Sequence, residues 1–375
     1  MIQLSVELIN KIENSIDLGY ISKQKHSEAD LWILNYTKKA QYEWAWTPST
    51  TICRGLIVDS SWNIVARAYP KFMSYEQIVD KSEIPMGEVV QVYDKADGSL
   101  GVMYFIDGVP FVATRGSFKS EMADEANKML TELYGKVKWN PRYSYVFEII
   151  YPENRIVVDY GDKRELVLHG IYDNETGEEI PLHEFVDLEY LRNMGVPIIK
   201  QYDVGVNLDG FDRLIETYPY DGREGFVVRF ESGYRVKIKY DEYKNLSYVI
   251  EQTSPKRLLD MIENGAINDI LDQLPEIDRA RVVEFERKVK DRFDDIHRKY
   301  IKAYEDIQLA LFAISPEAAK NEKWWAQEIN AIKKEYNPAI LFAIMKHNHV
   351  KVKTYIWKMV KNEAIEWEKT GGKNE

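Results

Sequence analysis

Two patterns of apolar and polar residues divide the chain. Up to about residue 250, short runs rich in Val, Ile, Tyr and Phe alternate with turn signals such as Asp-Gly, Ser-Gly and Pro. Such runs are typical of antiparallel strands. Helical patterns interrupt them at Lys119–Tyr134 and Leu182–Met194. We therefore predict antiparallel sheets with flanking helices for this part.

After Ser254-Pro255 the apolar residues recur at helical spacing instead. The stretch EIDRARVVEFERKVKDRFDDIHRKYIKAYEDIQLALFAI predicts one long amphipathic helix, and further helical patterns follow it. The chain is thus expected to be α+β, with a β-rich domain at residues 1–250 and an all-helical domain at residues 251–375.

One short stretch, VYDKADGSLGVMYF from Val92 to Phe105, combines structure with chemistry. Apolar residues alternate on both sides of Asp97-Gly98, and this dipeptide favours a tight turn. The pattern predicts a β-hairpin. Lys95 lies just before the turn, either as a solvated surface lysine or as a nucleophile, and the stretch alone leaves both interpretations open.

The composition, with 45% hydrophobic and 30% charged residues, is that of a folded globular protein. No run of 18 apolar residues is present, so we expect no membrane-spanning helix. The amphipathic start MIQLSVELINKIENS predicts a surface helix rather than a signal peptide. A single cysteine, Cys53, excludes an internal disulfide and a multi-cysteine metal site, and favours a cytoplasmic location.

The net charge of −11 argues against a general nucleic-acid-coating protein. It is unevenly distributed, because residues 251–375 hold 22 basic and 22 acidic residues, so residues 1–250 carry all of it. Residues 336–362 contain no Asp or Glu but five lysines, Lys346, Lys351, Lys353, Lys358 and Lys361. This segment is either a surface for a phosphate backbone or the solvated face of a helix.

Several charged residues lie in or beside apolar strands. Glu148 is flanked by Phe147 and Ile149, and such a carboxylate is costly unless it is paired or binds a cation. Lys237 and Lys239 share one face of a strand and repel each other unless an anion lies between them. These charges make sense together around a nucleotide phosphate and its Mg²⁺, whereas ordinary surface ion pairs are the simpler alternative.

Two other kinds of site are not indicated. The sequence has no GxxxxGK[ST], so a P-loop is not expected. The histidines, including His169, are scattered without metal-ligand spacing, and we interpret them as structural or surface residues rather than zinc ligands.

The order of these motifs resembles the covalent nucleotidyltransferases, which comprise RNA ligases, DNA ligases and capping enzymes. KADGSL at Lys95, FEIIYPENRIVVDY at Glu148, REGF at Glu224 and KIK at Lys237–Lys239 follow one another as in that superfamily. CRGLIV and PKF precede the lysine. More narrowly, the chain is similar to the bacteriophage RNA ligase 1 family, which repairs tRNA, over roughly residues 30–245.

The resemblance implies roles for individual residues. Lys95 is implied as the nucleophile that forms lysyl-AMP. A free lysine is mostly protonated at neutral pH, and Lys237, Lys239 and Mg²⁺ are the candidates for lowering its pKa. The same two lysines would stabilise charge on the α-phosphate. Glu148 is implied as the ribose contact and Glu224 as the metal ligand. Asp269 falls where the family can carry an acidic pair, or is an ordinary helix-surface residue. The remaining implied ATP contacts are Tyr36, Arg54, Lys71, Arg115 and Tyr243.

The function implied by the resemblance is ATP-dependent ligation of a 5′-phosphate to a 3′-hydroxyl RNA end, through lysyl-AMP and adenylylated RNA, in repair of cleaved tRNA anticodon loops. ATP and Mg²⁺, or Mn²⁺, are the implied cofactors. We expect a monomer in the host cytoplasm, with nicked tRNA and an end-healing kinase/phosphatase as partners and no membrane. The alternatives are a non-catalytic RNA-binding protein that retains the fold, and a DNA ligase or capping-type nucleotidyltransferase.

Overall fold

The computed structural model describes residues 2–88, 90–203 and 211–369. These residues cluster into two compact units, Met1–Lys244 and Asn245–Glu375. The described part of the first unit contains three antiparallel sheets with helices, and that of the second contains helices without a strand. The predicted α+β class is confirmed.

The elements are numbered in chain order. The strands are β1 Ile21–Lys25, β2 Leu31–Tyr36, β3 Arg54–Asp59, β4 Ile64–Ala66, β5 Val90–Asp94, β6 Ser99–Ile106, β7 Val109–Thr114, β8 Tyr143–Ile150, β9 Glu165–Asp173, β10 Glu179–Ile180, β11 Gln201–Tyr202, β12 Gly225–Phe230 and β13 Arg235–Lys239. The helices are α1 Val6–Asp17, α2 Lys38–Tyr42, α3 Pro48–Ile52, α4 Glu121–Glu132, α5 Leu188–Asn193, α6 Phe211–Thr217, α7 Asp241–Glu251, α8 Pro255–Asn264, α9 Asn268–Leu271, α10 Glu276–Ile314, α11 Glu322–Ala331, α12 Pro338–Met345 and α13 His349–Lys369.

Three sheets form the core of the first unit. Their strand orders are β1-β2-β3-β4, β10-β9-β8-β6-β7 and β11-β5-β12-β13. Alternation along β6 serves both faces of the second sheet, because Val102 packs with Ile57 of the first sheet while Met103 packs with Met129 of α4. The second sheet is therefore covered on both sides, and its residues nearest the first and third sheets can line a shared cavity.

The predicted hairpin at Lys95 is wrong. Strand β5 pairs with β11 and β12, whereas β6 pairs with β7 and β8, so the two strands belong to different sheets. Residues 95–98 cross from the third sheet to the second. The side chain of Asp97 is 4% exposed and makes contacts in the interior, which a solvent-facing hairpin turn would not offer.

The predicted helices are confirmed in part. The long helix α10 is found, and α4 begins after Ser120, whose hydroxyl accepts from Ala123 N–H at 3.1 Å. The helix predicted over Leu182–Met194 is shorter than expected, because a single 3₁₀ turn is followed by α5 from Leu188 only. Phe185 between them has extended backbone and is buried in the core, which interrupts the helical pattern.

The second unit is built around α10. Its buried residues Val282, Val289, Ile296 and Ala303 lie seven positions apart, which places them along one stripe of the helix. This stripe belongs to a core shared with α8, α12 and α13. None of the helices in the described part of the chain is both long enough and apolar enough to cross a membrane.

Gly225 at the start of β12 gives the first prediction. Its φ is +149°, and an added Cβ would come within 2.0 Å of the Ile238 carbonyl oxygen. We expect Gly225→Ala to lower the free energy of unfolding by about 3 kcal/mol or more. The backbone at Ile238 must move to make room for the Cβ, and the alanine must also adopt a strained φ.

Gly233→Ala is the matched control, since its φ is also positive (+85°) but nothing lies within 4 Å of the added Cβ. Strain alone predicts a loss of about 1 kcal/mol there. Urea unfolding followed by circular dichroism measures both variants. Equal losses would contradict a steric role for Gly225.

Candidate active site

Lys95 lies at the centre of the charged cluster in the first unit. Its backbone N–H donates to Gly225 O at 2.9 Å, which ties the crossover to β12. Its Nζ donates to Glu224 Oε2 at 2.7 Å, and Lys239 Nζ lies 2.7 Å from Glu224 Oε1. Glu224 is only 3% exposed, so this carboxylate is buried between two ammonium groups.

Three carboxylates near Lys95 affect its pKa. Burial lowers the pKa of Lys95, but Glu224, followed by Glu148 and Asp97, more than offsets this and raises the pKa above its ordinary value. The expectation that Lys237 and Lys239 bring the pKa of Lys95 below its ordinary value is therefore not met. The physical reason is that a carboxylate in direct contact outweighs more distant cations.

Asp97 fixes the crossover by hydrogen bonds to other parts of the first unit. Its Oδ2 accepts from the backbone N–H groups of Val157 and Val158, both at 2.8 Å, and its Oδ1 accepts from the Tyr243 hydroxyl at 2.8 Å. Its own N–H donates to the Tyr160 hydroxyl at 2.9 Å. Tyr243 was predicted as an ATP contact. In this structure it supports the crossover, and Lys239 Nζ lies 5.1 Å from the centre of its ring.

Glu148 connects the crossover to a polar chain inside the second sheet. Its Oε1 accepts from Gly98 N–H at 3.0 Å, and its Oε2 lies 3.4 Å from His169 Nε2. His169 Nδ1 is in turn 2.5 Å from the Tyr69 hydroxyl. Burial raises the pKa of Glu148, but hydrogen bonding with His169 and the nearby positive charges more than offset this and lower it below the ordinary value.

A set of cations belongs to the same charged cluster. Its members Arg54, Lys71, Arg115 and Lys237 form no ion pair with any carboxylate of the described residues. Burial, followed by repulsion from Arg54 and other cations, lowers the pKa of Lys71 to about 8. Burial and the charges of Lys71, Arg54, Lys95 and Lys239 lower that of Lys237 to about 6.

The guanidinium of Arg54 has a buried donor that meets no acceptor in the described part of the chain. Its Nη1 is buried and has no hydrogen-bond partner among the described residues. A buried donor without an acceptor is costly. Uncompensated, partly buried positive charge together with an unused donor suits the binding of an anion.

These groups surround a cavity of about 610 Å³, which is large enough for a nucleotide. The cavity brings together five of the residues predicted from the sequence: Arg54, Lys95, Arg115, Glu148 and Lys237. Other predicted residues of the first unit are not in the lining but lie beside it. Glu224 and Lys239 pair beside Lys95, while Tyr36 accepts a hydrogen bond from Arg115 Nη1 at 3.0 Å.

Asp269 belongs to the second unit and not to the unit that contains Lys95. It lies on the short helix α9 of the second unit, where its side chain is exposed. Its predicted role as a metal ligand stays a prediction. No group of three or more His, Cys, Asp or Glu residues suited to a metal is found within the described residues.

Some residues of the cavity were missed by the sequence analysis. His169 was interpreted as a scattered structural histidine, yet it lines the cavity and contacts Glu148. The signal was present, because His169 interrupts the buried strand β9 just as Glu148 interrupts β8. Tyr69 and the ion pair of Glu179 with Arg235 were also missed, since their partners are distant in the sequence.

Lys237 generates a prediction about protons. A bound polyanion raises its pKa from about 6, so binding near pH 7.5 must protonate it. We expect pyrophosphate binding to take up more protons in the parent than in Lys237→Met, by up to about one per site. The parent's advantage in affinity is complete below about pH 6 and shrinks as the pH rises above it.

Isothermal titration calorimetry in buffers of different ionisation enthalpy measures this proton uptake. Lys163→Met removes an exposed lysine elsewhere in the unit and should behave like the parent. Identical proton uptake by the parent and Lys237→Met would disprove the assignment.

The chain is similar in sequence to known RNA ligases. The profile of the RNA ligase family matches residues 52–243, which include Lys95, Glu148, Glu224, Lys237 and Lys239. An RNA ligase of Rhodothermus phage RM378 is 22% identical over 337 residues, covering 72% of this chain and 75% of that protein. A protein of Autographa californica nuclear polyhedrosis virus, named a bifunctional polynucleotide kinase/RNA ligase, is 25% identical over 296 residues.

The alignment with the baculovirus protein covers 71% of this chain but only 40% of that protein. Among solved structures, an ATP-dependent DNA ligase of Aquifex aeolicus aligns with a TM-score of 0.47 at 14% identity, covering 87% of this chain and 80% of that one. The family profile spans half of the chain and includes the charged cluster around Lys95. The predicted family is therefore confirmed, and the chain belongs to the RNA ligase family.

Proposed function

We propose that this chain is an ATP-dependent RNA ligase that joins 5′-phosphate and 3′-hydroxyl ends through a lysyl-AMP on Lys95. One observation carries the proposal. A largely buried lysine lines a cavity together with Arg54, Arg115 and Lys237, which have no carboxylate partner among the described residues. A nucleophile and an uncompensated anion site at one cavity are the two parts that covalent nucleotidyl transfer requires.

In the first step the amine of Lys95 attacks the α-phosphorus of ATP, a P–N bond forms, and the P–O bond to pyrophosphate breaks. The ammonium must first lose a proton, because its pKa lies above the ordinary value in the free protein. Glu224 Oε2 at 2.7 Å is positioned to take that proton. Lys239 on the other oxygen holds the carboxylate in place for this role.

In the second step an oxygen of an RNA 5′-phosphate attacks the lysyl-AMP, the P–N bond breaks, and the lysine nitrogen regains a proton. In the third step a 3′-hydroxyl attacks the adenylylated 5′-phosphate and AMP leaves. The unpaired cations Arg54, Lys71, Arg115 and Lys237 are the candidates for holding the phosphates throughout, and Glu148 is the candidate ribose contact.

The donor set also suits a divalent cation that arrives with the nucleotide. Mg²⁺ is commonly bound by one or two carboxylates together with substrate phosphates and water, so a preformed cage of three protein ligands is not needed. Glu224 and Glu148 are the carboxylates at hand, although Glu224 must then exchange one of its lysine partners. Such a cation neutralises phosphate charge in the transition state.

The alternatives receive less support. A non-catalytic protein that kept the fold has no need to bury Lys95 against Glu224, which is costly without a use. A DNA ligase or capping enzyme is expected to continue into a small β-barrel after the Lys237–Lys239 strand. Here α7 follows β13 at once, and the described residues after it are helical.

The second unit is proposed to select the RNA, with nicked tRNA as the substrate. Lys346, Lys351, Lys353 and Lys358 are exposed and form no ion pair with described residues, whereas Lys361 pairs with Asp260 and Glu263. The first four lysines are therefore the available cations. A separate end-healing kinase is a proposed partner, in keeping with the baculovirus name that combines kinase and ligase. The host cytoplasm is the proposed location.

Lys95→Ala tests the covalent step. After incubation with ATP and Mg²⁺, intact-mass spectrometry should show the mass of one added AMP on the parent and none on the variant. Lys11→Ala, an exposed lysine on α1, should gain AMP like the parent. A Lys95→Ala protein that still gains AMP would exclude this nucleophile. A parent that gains none, even after a pyrophosphate wash to remove AMP already attached, would argue against ATP.

Charge reversal tests the proposed RNA surface. We expect Lys351→Glu with Lys353→Glu to weaken tRNA sealing at least tenfold at low salt, with the difference shrinking as salt rises. Lys320→Glu with Lys323→Glu changes the net charge equally at other exposed sites and should leave sealing near the parent's level. Equal effects of both pairs on the KM for tRNA would contradict a specific surface.

A further inference from the structure

A row of aromatic rings leads from the cationic side of the cavity to the protein surface. The guanidinium of Arg115, which lines the cavity, lies 4.9 Å from the centre of the Tyr36 ring. Tyr36 contacts Trp46 edge to face at 5.1 Å, and Trp46 contacts Trp44 in the same way at 6.2 Å. We call Tyr36, Trp46 and Trp44 the aromatic row.

The outer end of the aromatic row is exposed. The side chain of Trp44 is 51% exposed and that of nearby Tyr42 is 85% exposed. The backbone of Trp44 also has a φ of +55°, a conformation that bulky residues rarely adopt and that costs free energy. An exposed indole held at such a cost is more useful as a contact for a ligand than as part of the core.

Positive charge accompanies these rings. Lys71 Nζ lies 5.3 Å from the centre of the Trp46 ring, and its pKa is lowered by burial and in part by the nearby charges of Arg54 and Arg115, which line the cavity. Flat aromatic surfaces beside cations are the combination with which proteins bind single-stranded nucleic acid, because bases stack on rings while phosphates meet the cations. An acidic or purely apolar partner would not match both features.

The geometry of the reaction indicates which RNA strand would pass the aromatic row. In-line displacement requires pyrophosphate to leave from the side of the α-phosphorus opposite Lys95. When Lys95 becomes the leaving group, the incoming 5′-phosphate must approach from that same side. The RNA 5′-phosphate thus enters the space that pyrophosphate vacates, next to Arg54, Lys71 and Arg115, and the nucleotides behind it must pass outward.

We propose that Trp44, at the end of the aromatic row, stacks on a base near the 5′-phosphorylated end of the RNA strand. The proposal rests on the proposed ligase function and specifies a substrate contact within it. Tyr42 lies two residues away and extends the aromatic surface. The contact acts in the transfer of AMP to RNA and has no part in the formation of lysyl-AMP.

The test uses the full-length protein, first loaded with AMP, and a short single-stranded RNA with a 5′-phosphate. We expect Trp44→Ala to raise the KM for RNA in AMP transfer about tenfold, as loss of one stacked base predicts. Trp44→Phe should restore most of the affinity. The rate of lysyl-AMP formation should match the parent's. Leu133→Ala removes a similarly exposed apolar side chain of the same unit (49%) and should change neither step.

A second set of substrates separates stacking from a structural effect. RNAs with single abasic nucleotides at successive positions from the 5′ end are compared on the parent and on Trp44→Ala. At the stacked position the abasic change should raise the KM for RNA about tenfold in the parent and hardly at all in Trp44→Ala. An equal loss at every position, or an unchanged KM in Trp44→Ala, would overturn the proposal.

Failure of the proposed function gives a different result. A parent that forms no lysyl-AMP, or forms it without passing AMP to RNA, contradicts the ligase function itself. A parent that completes both steps, with Trp44→Ala equal to it, contradicts only the stacking contact. Sedimentation of both proteins tests whether a second copy of the chain occupies this surface instead. A parent dimer that Trp44→Ala converts to a monomer would assign Trp44 to the contact between copies and overturn the proposal.

Discussion

The buried carboxylate of Glu224 is the interaction on which the rest of the site depends. Two ammonium groups share it at 2.7 Å each, and it is almost fully removed from solvent. A buried charge is stable only when its partners are in place, and breaking such a pair costs about 3–5 kcal/mol. Strand β12, strand β13 and the crossover at Lys95 must therefore keep one arrangement.

Other cations of the same cluster differ from Lys95 and Lys239, because no carboxylate of the described residues pairs with them. Glu224 compensates Lys95 and Lys239, whereas Lys71 and Lys237 have no carboxylate partner among the described residues. Burial and repulsion from neighbouring cations lower the pKa of Lys71 to about 8 and that of Lys237 to about 6. Burial makes it costly for these lysines to keep their protons, and the fold accepts that cost. A phosphate group removes it, because the bound anion supplies the missing negative charge. The cavity is therefore better matched to its ligand than to water.

The sequence was most informative where a charge interrupts an apolar strand. Glu148 in β8 and the lysines of β13 stood out for that reason, and the order of the motifs identified the family. The hairpin at Lys95 was mispredicted because Asp97-Gly98 has the same local signature whether its flanking strands pair with each other or with separate sheets. Only contacts with Val157, Val158 and Tyr243, which are 60 or more positions away, distinguish the two cases.

His169 illustrates a related limit. Its strand position carried the same signal as that of Glu148, but a lone histidine is compatible with many structural roles, and its partner Tyr69 lies 100 residues away. In the folded chain His169 connects Tyr69 to Glu148, and Glu148 in turn accepts from the Gly98 N–H beside Lys95. The crossover is thus linked through Glu148 and His169 to the interior of the second sheet. A change of Glu148 or His169 would therefore act on the backbone beside Lys95 as well as on the cavity that both side chains line.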